Sequence, residues 1–143
     1  MMPPNVTSGL GMLREHLPQI EDIENFVQYC KDCGTRVAKR NIRAMSLKPA
    51  QTHIDFEKVA AIANNIDFAN LKPIAIDKDG YIIDGHHRWT AMMYVNPAFE
   101  MPVYQFNIKL KNLISRKVKW YSFDNKLDEL IVNLFNTPTE VTP

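Results

Sequence analysis

Seventeen Lys and Arg against sixteen Asp and Glu leave this 143-residue chain, 45% hydrophobic and 23% charged, with a formal net charge of +1. That is the profile of one soluble globular domain able to bury a core without a disulfide staple or structural metal, and it excludes the disordered and collagenous classes. No apolar run approaches the ~20 residues that span a bilayer. The opening Met1-Met2-Pro3-Pro4-Asn5-Val6 lacks the basic and apolar regions of a secretory signal, so a cytoplasmic location is expected.

Residues 1–20 contain Pro3, Pro4, Gly9, Gly11 and Pro18 with no sustained period, which predicts an irregular arm whose Leu10, Met12, Leu17 and Ile20 pack onto the domain. One domain is expected over 21–136 and a frayed tail over 137–143. A first helix is predicted over 21–33: Glu21, Asp22 and Glu24 suit its N-terminal dipole, Ile20, Ile23, Phe26, Val27 and Cys30 give its apolar face, and Gly34 ends it. Cys30 and Cys33 form a single C-x-x-C in its last turn. A redox pair belongs at a helix N-terminus, so these read as ordinary helix cysteines.

A strand is predicted over 37–47, stopped by Lys48-Pro49, and then a helix over 56–65 with Phe56, Val59, Ala60, Ala63 and Ile66 on one face. Pro73-Ile74-Ala75-Ile76 and Tyr81-Ile82-Ile83 flank Asp77-Lys78-Asp79-Gly80, a hairpin signal because Gly80 supplies the positive φ of a tight turn. A helix from the turn at 84–88 to Pro97, a strand over 101–106, and helices over 108–118 and 127–135 complete an α/β pattern, a small mixed β-sheet surrounded by helices.

Asp84-Gly85-His86-His87-Arg88 carries the densest chemistry. A strand that ends in glycine and opens into a helix leaves backbone N–H groups at the helix N-terminus, where anions bind. Gly85 leaves room for a phosphate, Arg88 can fork two of its oxygens, and His86 or His87 can transfer protons near neutral pH. Adjacent helical residues diverge by about 100°, so one histidine is expected to face the ligand and the other to brace the loop. The plain structural alternative makes Asp84 a helix cap, both histidines bracing groups and Arg88 a surface ion-pair partner.

Asp84-Gly85-His86-His87-Arg88-Trp89-x-Ala91, with the two preceding strands, resembles the signature of the ParB/sulfiredoxin superfamily, which reads G-E-R-R-W-R-A in its ParB branch and G-G-C-H-R in its sulfiredoxin branch. Leu47-Lys48-Pro49-Ala50-Gln51 resembles the family's P-x-Q segment, and Phe56-Glu57-Lys58-Val59-Ala60-Ala61-Ile62-Ala63-Asn64-Asn65-Ile66 resembles its next helix. The resemblance spans about 45–106. The arm segment over 10–20 is similar to that of small phage-encoded ParB-like proteins.

The resemblance implies a ParB/sulfiredoxin-like fold with nucleotide phosphates at Gly85, His86, His87 and Arg88, reached by Lys58 and Asn65. Departures accompany it. The sulfiredoxin thiol falls on His86, which rules out a sulfinyl ester formed through a thiol. The Ser and Thr of that branch fall on Ala61 and Asn65, and the ParB Glu and first Arg fall on His86 and His87.

The resulting expectation is an enzyme that binds ATP or another NTP with Mg²⁺ and carries out hydrolysis or phosphoryl transfer, with His86, His87 and Asp84 as catalytic candidates. Asp55 and Glu57 are further candidate acids, close in sequence to Lys58. A second expectation is a ParB-like DNA-binding protein or nuclease. Six cations between Lys31 and Lys48 face Asp32 alone, and Lys109 to Lys119 holds five cations and no acid. Arg36, Lys39, Arg40, Arg43, Lys109, Lys111, Arg116 and Lys117 are the candidate phosphate contacts, with Trp120, Tyr121 and Phe123 as stacking candidates. A third is a non-enzymatic phage interaction protein that keeps the fold as scaffold.

Overall fold

The structure, a computed structural model, describes residues 9–12, 17, 20 and 22–114. Helix α1 (Ile23–Asp32) starts where the Asp22 carboxylate accepts the Asn25 N–H at 3.1 Å, and it buries Phe26, Val27 and Cys30. It stops at Cys33, whose N–H donates back to the Tyr29 and Cys30 carbonyls. Both cysteines lie at this C-terminal end, away from the pole that stabilises a thiolate.

Strand β1 (Val37–Arg43) ends four residues before the predicted limit. The Ala44 and Met45 amides leave the sheet and donate to the Phe99 and Pro97 carbonyls, so Ala44–Ser46 becomes a 3-10 turn. Helix α2 (Phe56–Ala63) begins under the Asp55 carboxylate, which accepts the Glu57 and Lys58 amides. Its inward face is Val59 with Ile62 and Ala63, packed near Ile54 and Ala91. Phe56, 46% exposed, and Ala60 are not on that face. Two helical turns carry too few residues for periodicity alone to choose the face, and Phe56 instead meets Tyr94 edge-on.

Strands β2 (Ile74–Ile76) and β3 (Ile82–Asp84) form the predicted hairpin, with Gly80 at φ +88°. Helix α3 (His86–Val95), strand β4 (Glu100–Phe106) and helix α4 (Leu110–Ile114) follow. The predicted extension of the last helix to 118, the helix over 127–135, and Arg116, Lys117, Lys119, Trp120, Tyr121 and Phe123 lie outside the described residues.

The fold is α/β, with a mixed four-stranded sheet in the order β1-β4-β2-β3. β4 is antiparallel to β1 and parallel to β2, which is antiparallel to β3. Alternation along β4 divides the core. Tyr104 and Phe106 join Phe26, Val27, Cys30, Leu110 and Leu113 on the α1 and α4 face. Met101 and Val103 join Ile74, Ile76, Ile82, Trp89 and Met92 on the α3 face. Of the arm, Leu17 is buried in the core and Met12 bridges to Gln51. Among the described residues no helix is long and apolar enough to cross a membrane.

Strand directions create two chemically distinct ends. β2 and β4 finish and β1 starts at one end of the sheet, beside the hairpin turn. β3 finishes at the other, where α3 begins.

Candidate functional site

At the α3 end, Gly85 is the helix N-cap at φ +108°. An added Cβ would sit 2.5 Å from Ile74 Cγ2, so the glycine is demanded twice, by its left-handed backbone and by the approach of β2. Asp84 is the last residue of β3, and its Oδ2 accepts the Ile20 N–H at 3.2 Å. It ties the arm to the sheet, and the cap position belongs to Gly85.

The next three side chains diverge, as helical geometry requires, and each fastens a different segment. His86 is 3% exposed, and its Nε2 accepts the N–H groups of Ala50 at 3.0 Å and Gln51 at 3.2 Å. His87, half-buried, accepts the Asp55 N–H on Nε2 at 3.1 Å. Arg88 Nη1 donates to the Lys72 carbonyl at 3.0 Å and more distantly to that of Pro73. Burial pulls the Arg88 pKa below the ordinary guanidinium value, and the nearby Asp84 charge pushes it back up.

Both imidazoles therefore brace loops. The Nε2 lone pair of His86 is committed to two amides and cannot at the same time carry a proton toward a phosphate, so the sequence-based division of roles between the two rings does not follow from this geometry.

Through His87, the start of α2 is joined to the start of α3, and two positive helix ends lie close together. Lys58 is exposed in the first turn of α2. Asn65, exposed past the end of α2, donates to the Ala61 carbonyl at 2.7 Å. Asn65 and Arg88 share a cleft of about 260 Å³ that Lys72, Asp67 and Asn70 also line. Lys58 does not line it. Asp55 spends Oδ1 on capping α2, and Glu57 is exposed. Among the described residues no three His, Cys, Asp or Glu side chains gather into a metal-binding group.

No family model, curated protein or solved structure matches this chain. What the two ends can do therefore rests on their own side chains.

At the opposite end a broad groove of about 800 Å³ is lined by Lys31, Arg36, Arg40 and Lys78 together with the amides Gln105 and Asn107. Of the DNA candidates, Arg36 and Arg40 line it. Lys39 lies over the Tyr104 ring, 5.7 Å from its centroid, while Arg43, Lys109 and Lys111 are exposed outside the lining. Sequence reasoning missed Lys78, isolated in the hairpin turn. It also missed Asp77, which is 2% exposed. Asp77 Oδ1 accepts the Asp79 and Tyr81 amides and Oδ2 accepts the Leu110 amide, all at 2.9 Å. The Asp-x-Asp-Gly spacing of a side-chain-closed turn is the signal for it.

Proposed function

We propose that this chain is a ParB/sulfiredoxin-like domain that binds a nucleoside triphosphate and, with Mg²⁺, hydrolyses it or transfers its phosphoryl group at the 84–88 turn, acting in the cytoplasm. The observation that carries the reading is the convergence of the α3 and α2 N-termini, fastened by His87, with Lys58 exposed beside them. Helix N-termini place N–H groups and positive potential toward an anion, and phosphoryl transfer asks chiefly for positioning and charge stabilisation.

In this reading Gly85 and the first turn of α3 receive phosphate oxygens and Lys58 adds a full charge. His86, His87 and Asp84 position the turn through the segments at 50–51, 55 and 20. The cleft between Arg88 and Asn65 offers room next to the turn for part of the nucleotide. Mg²⁺ held largely by substrate phosphates and water, with one or two carboxylates, needs no larger cluster of acids. Asp84 lies in the turn itself, and Asp55 is brought to it by the bond of its backbone N–H to His87.

Calorimetric titration with ATP, GTP and CTP, with Mg²⁺ present, tests the reading. The expected result is saturable binding, shifts of the 85–88 amide resonances on nucleotide addition, and phosphate release that depends on Mg²⁺. Lys58→Ala should weaken binding about tenfold, as loss of one charge-assisted contact predicts, without changing the melting temperature. No binding at millimolar nucleotide, or Lys58→Ala behaving as wild type, would overturn it.

A further inference from the structure

The geometry points to a second anion site at the other end of the sheet: the groove between α1, β1 and the hairpin turn seats the phosphate backbone of a nucleic-acid duplex. The proposal is independent of the nucleotide reading, because no residue is shared between the two ends.

Four elements each contribute a cation. Lys31 comes from the last turn of α1, Arg36 from the connection to β1, Arg40 from β1 and Lys78 from the turn between β2 and β3. All four are exposed, and no described residue lining the groove is acidic. Charges confined to β1 would be accounted for as protection of an edge strand against unwanted pairing. That explanation does not reach Lys31, Arg36 or Lys78, which lie off the strand.

The acids at this end do not line the groove. Asp77 is buried beneath the turn and its carboxylate is held by three backbone amides. Asp32 accepts a hydrogen bond from Gln28 on α1, and Asp79 is exposed on the turn but does not line the groove.

The floor is ordered. The Gln105 side-chain amide donates to the Asp77 carbonyl at 3.3 Å and the Lys78 carbonyl at 3.2 Å, which turns its oxygen toward Arg40, whose guanidinium donates to it. Arg40 is thereby held at the floor with donor groups remaining for a ligand, since a guanidinium carries five N–H groups. The rest of the lining is Gly34, Thr35, Val37, Ala38 and Asn107.

That composition selects among polyanions. An acidic peptide would need apolar anchors, and the groove supplies only small apolar side chains; β1 is an edge strand, and the polyglutamate competitor tests a peptide added along it. A single strand is held largely by base stacking, and no aromatic side chain is among the described lining residues. Forked guanidiniums, ammoniums and neutral amides around an open trough suit the oxygens of a duplex backbone, contacted without sequence preference.

Fluorescence anisotropy with a labelled DNA duplex tests this, using an RNA duplex, a single strand and polyglutamate as competitors. Duplex binding should weaken with salt along a log–log slope of about −3 to −4, the value for roughly four phosphate contacts. Lys78→Ala should make that slope shallower by about one. Combined Arg36→Glu and Arg40→Glu should abolish binding while circular dichroism stays unchanged. Arg43→Ala, on the same strand but outside the groove, should leave the slope unaltered.

Competition by the RNA duplex as strong as by DNA would support backbone recognition. Four results would overturn the proposal: no salt-sensitive binding, equal loss from Arg43→Ala and Lys78→Ala, polyglutamate competing as well as the duplex, or tighter binding of the single strand.

Discussion

The two ends of the sheet handle polar side chains in opposite ways. At the α3 end the residues richest in chemistry are turned inward: His86, His87, Arg88 and Asp84 each grip backbone from a different segment, at 50–51, 55, 72–73 and 20. At the hairpin end Asp77 and Thr35 are buried, while Lys31, Arg36, Arg40 and Lys78 remain exposed. The conspicuous sequence motif is first a framework. The end with no motif presents the denser array of exposed charge.

That contrast can be attacked by substitution. Gly85→Ala should be the most damaging change, because it combines a Cβ 2.5 Å from Ile74 with a φ of +108°. A loss of about 3 kcal/mol or more in urea unfolding, or failure to fold, is expected. Wild-type stability would break the assignment of Gly85 as a packing glycine.

His86→Ala should come next, at roughly 2–3 kcal/mol, since it strands the Ala50 and Gln51 amides beneath the surface. His87→Ala deprives the Asp55 amide of a partner on a half-buried ring and should cost about 1 kcal/mol. Denaturant midpoints of the two variants, measured together, check the order. Equal midpoints would remove the distinction between them.

Arg36→Glu with Arg40→Glu should shift stability by no more than about 0.5 kcal/mol per site, as exposed surface changes generally do. A large fall would mean that the groove cations serve the fold as the histidines do.

The smallest effect concerns Tyr104, whose hydroxyl donates to both Glu24 carboxylate oxygens at 2.9 and 2.8 Å. That hydrogen bond, desolvation and the Glu24 charge raise the phenol pKa above its ordinary 10.0. The contact's stabilisation is therefore fully present below pH 10.0 and is lost as pH rises through the raised folded value. Tyr104→Phe should flatten that alkaline part of the melting-temperature profile, which thermal scans across the range would show.

Local chemistry made much of the fold legible. Asp79-Gly80 between two apolar runs announced the hairpin, and Asp22 with Gly34 framed α1. The end of β1 was hidden, because Ala44 and Met45 leave the ladder for the Phe99 and Pro97 carbonyls, groups far away in the chain. The α2 face was hidden for a related reason: its partner is α3, and Val59 rather than Phe56 meets Ala91.

At the candidate site the residues of the turn could be named from sequence. Their acceptors and donors could not, because the segments at 50–55 and 72–73 return to the turn only in three dimensions. The groove combines both cases. Its Lys31, Arg36 and Arg40 lie in one visibly basic run, whereas Lys78 joins them only because the hairpin turn reaches that end of the sheet.

The sheet order has a consequence for how the chain folds. β4 lies between β1 and β2, yet it is the last of the described strands to be synthesised, and its pairing with β1 joins Val37 to Phe106 and Arg43 to Glu100. Such distant pairings require closure of long loops before any ladder forms, which slows folding. During synthesis on the ribosome β1 therefore waits without its neighbour. Its exposed Lys39, Arg40 and Arg43 then repel other nascent strands during the interval when aggregation competes with folding.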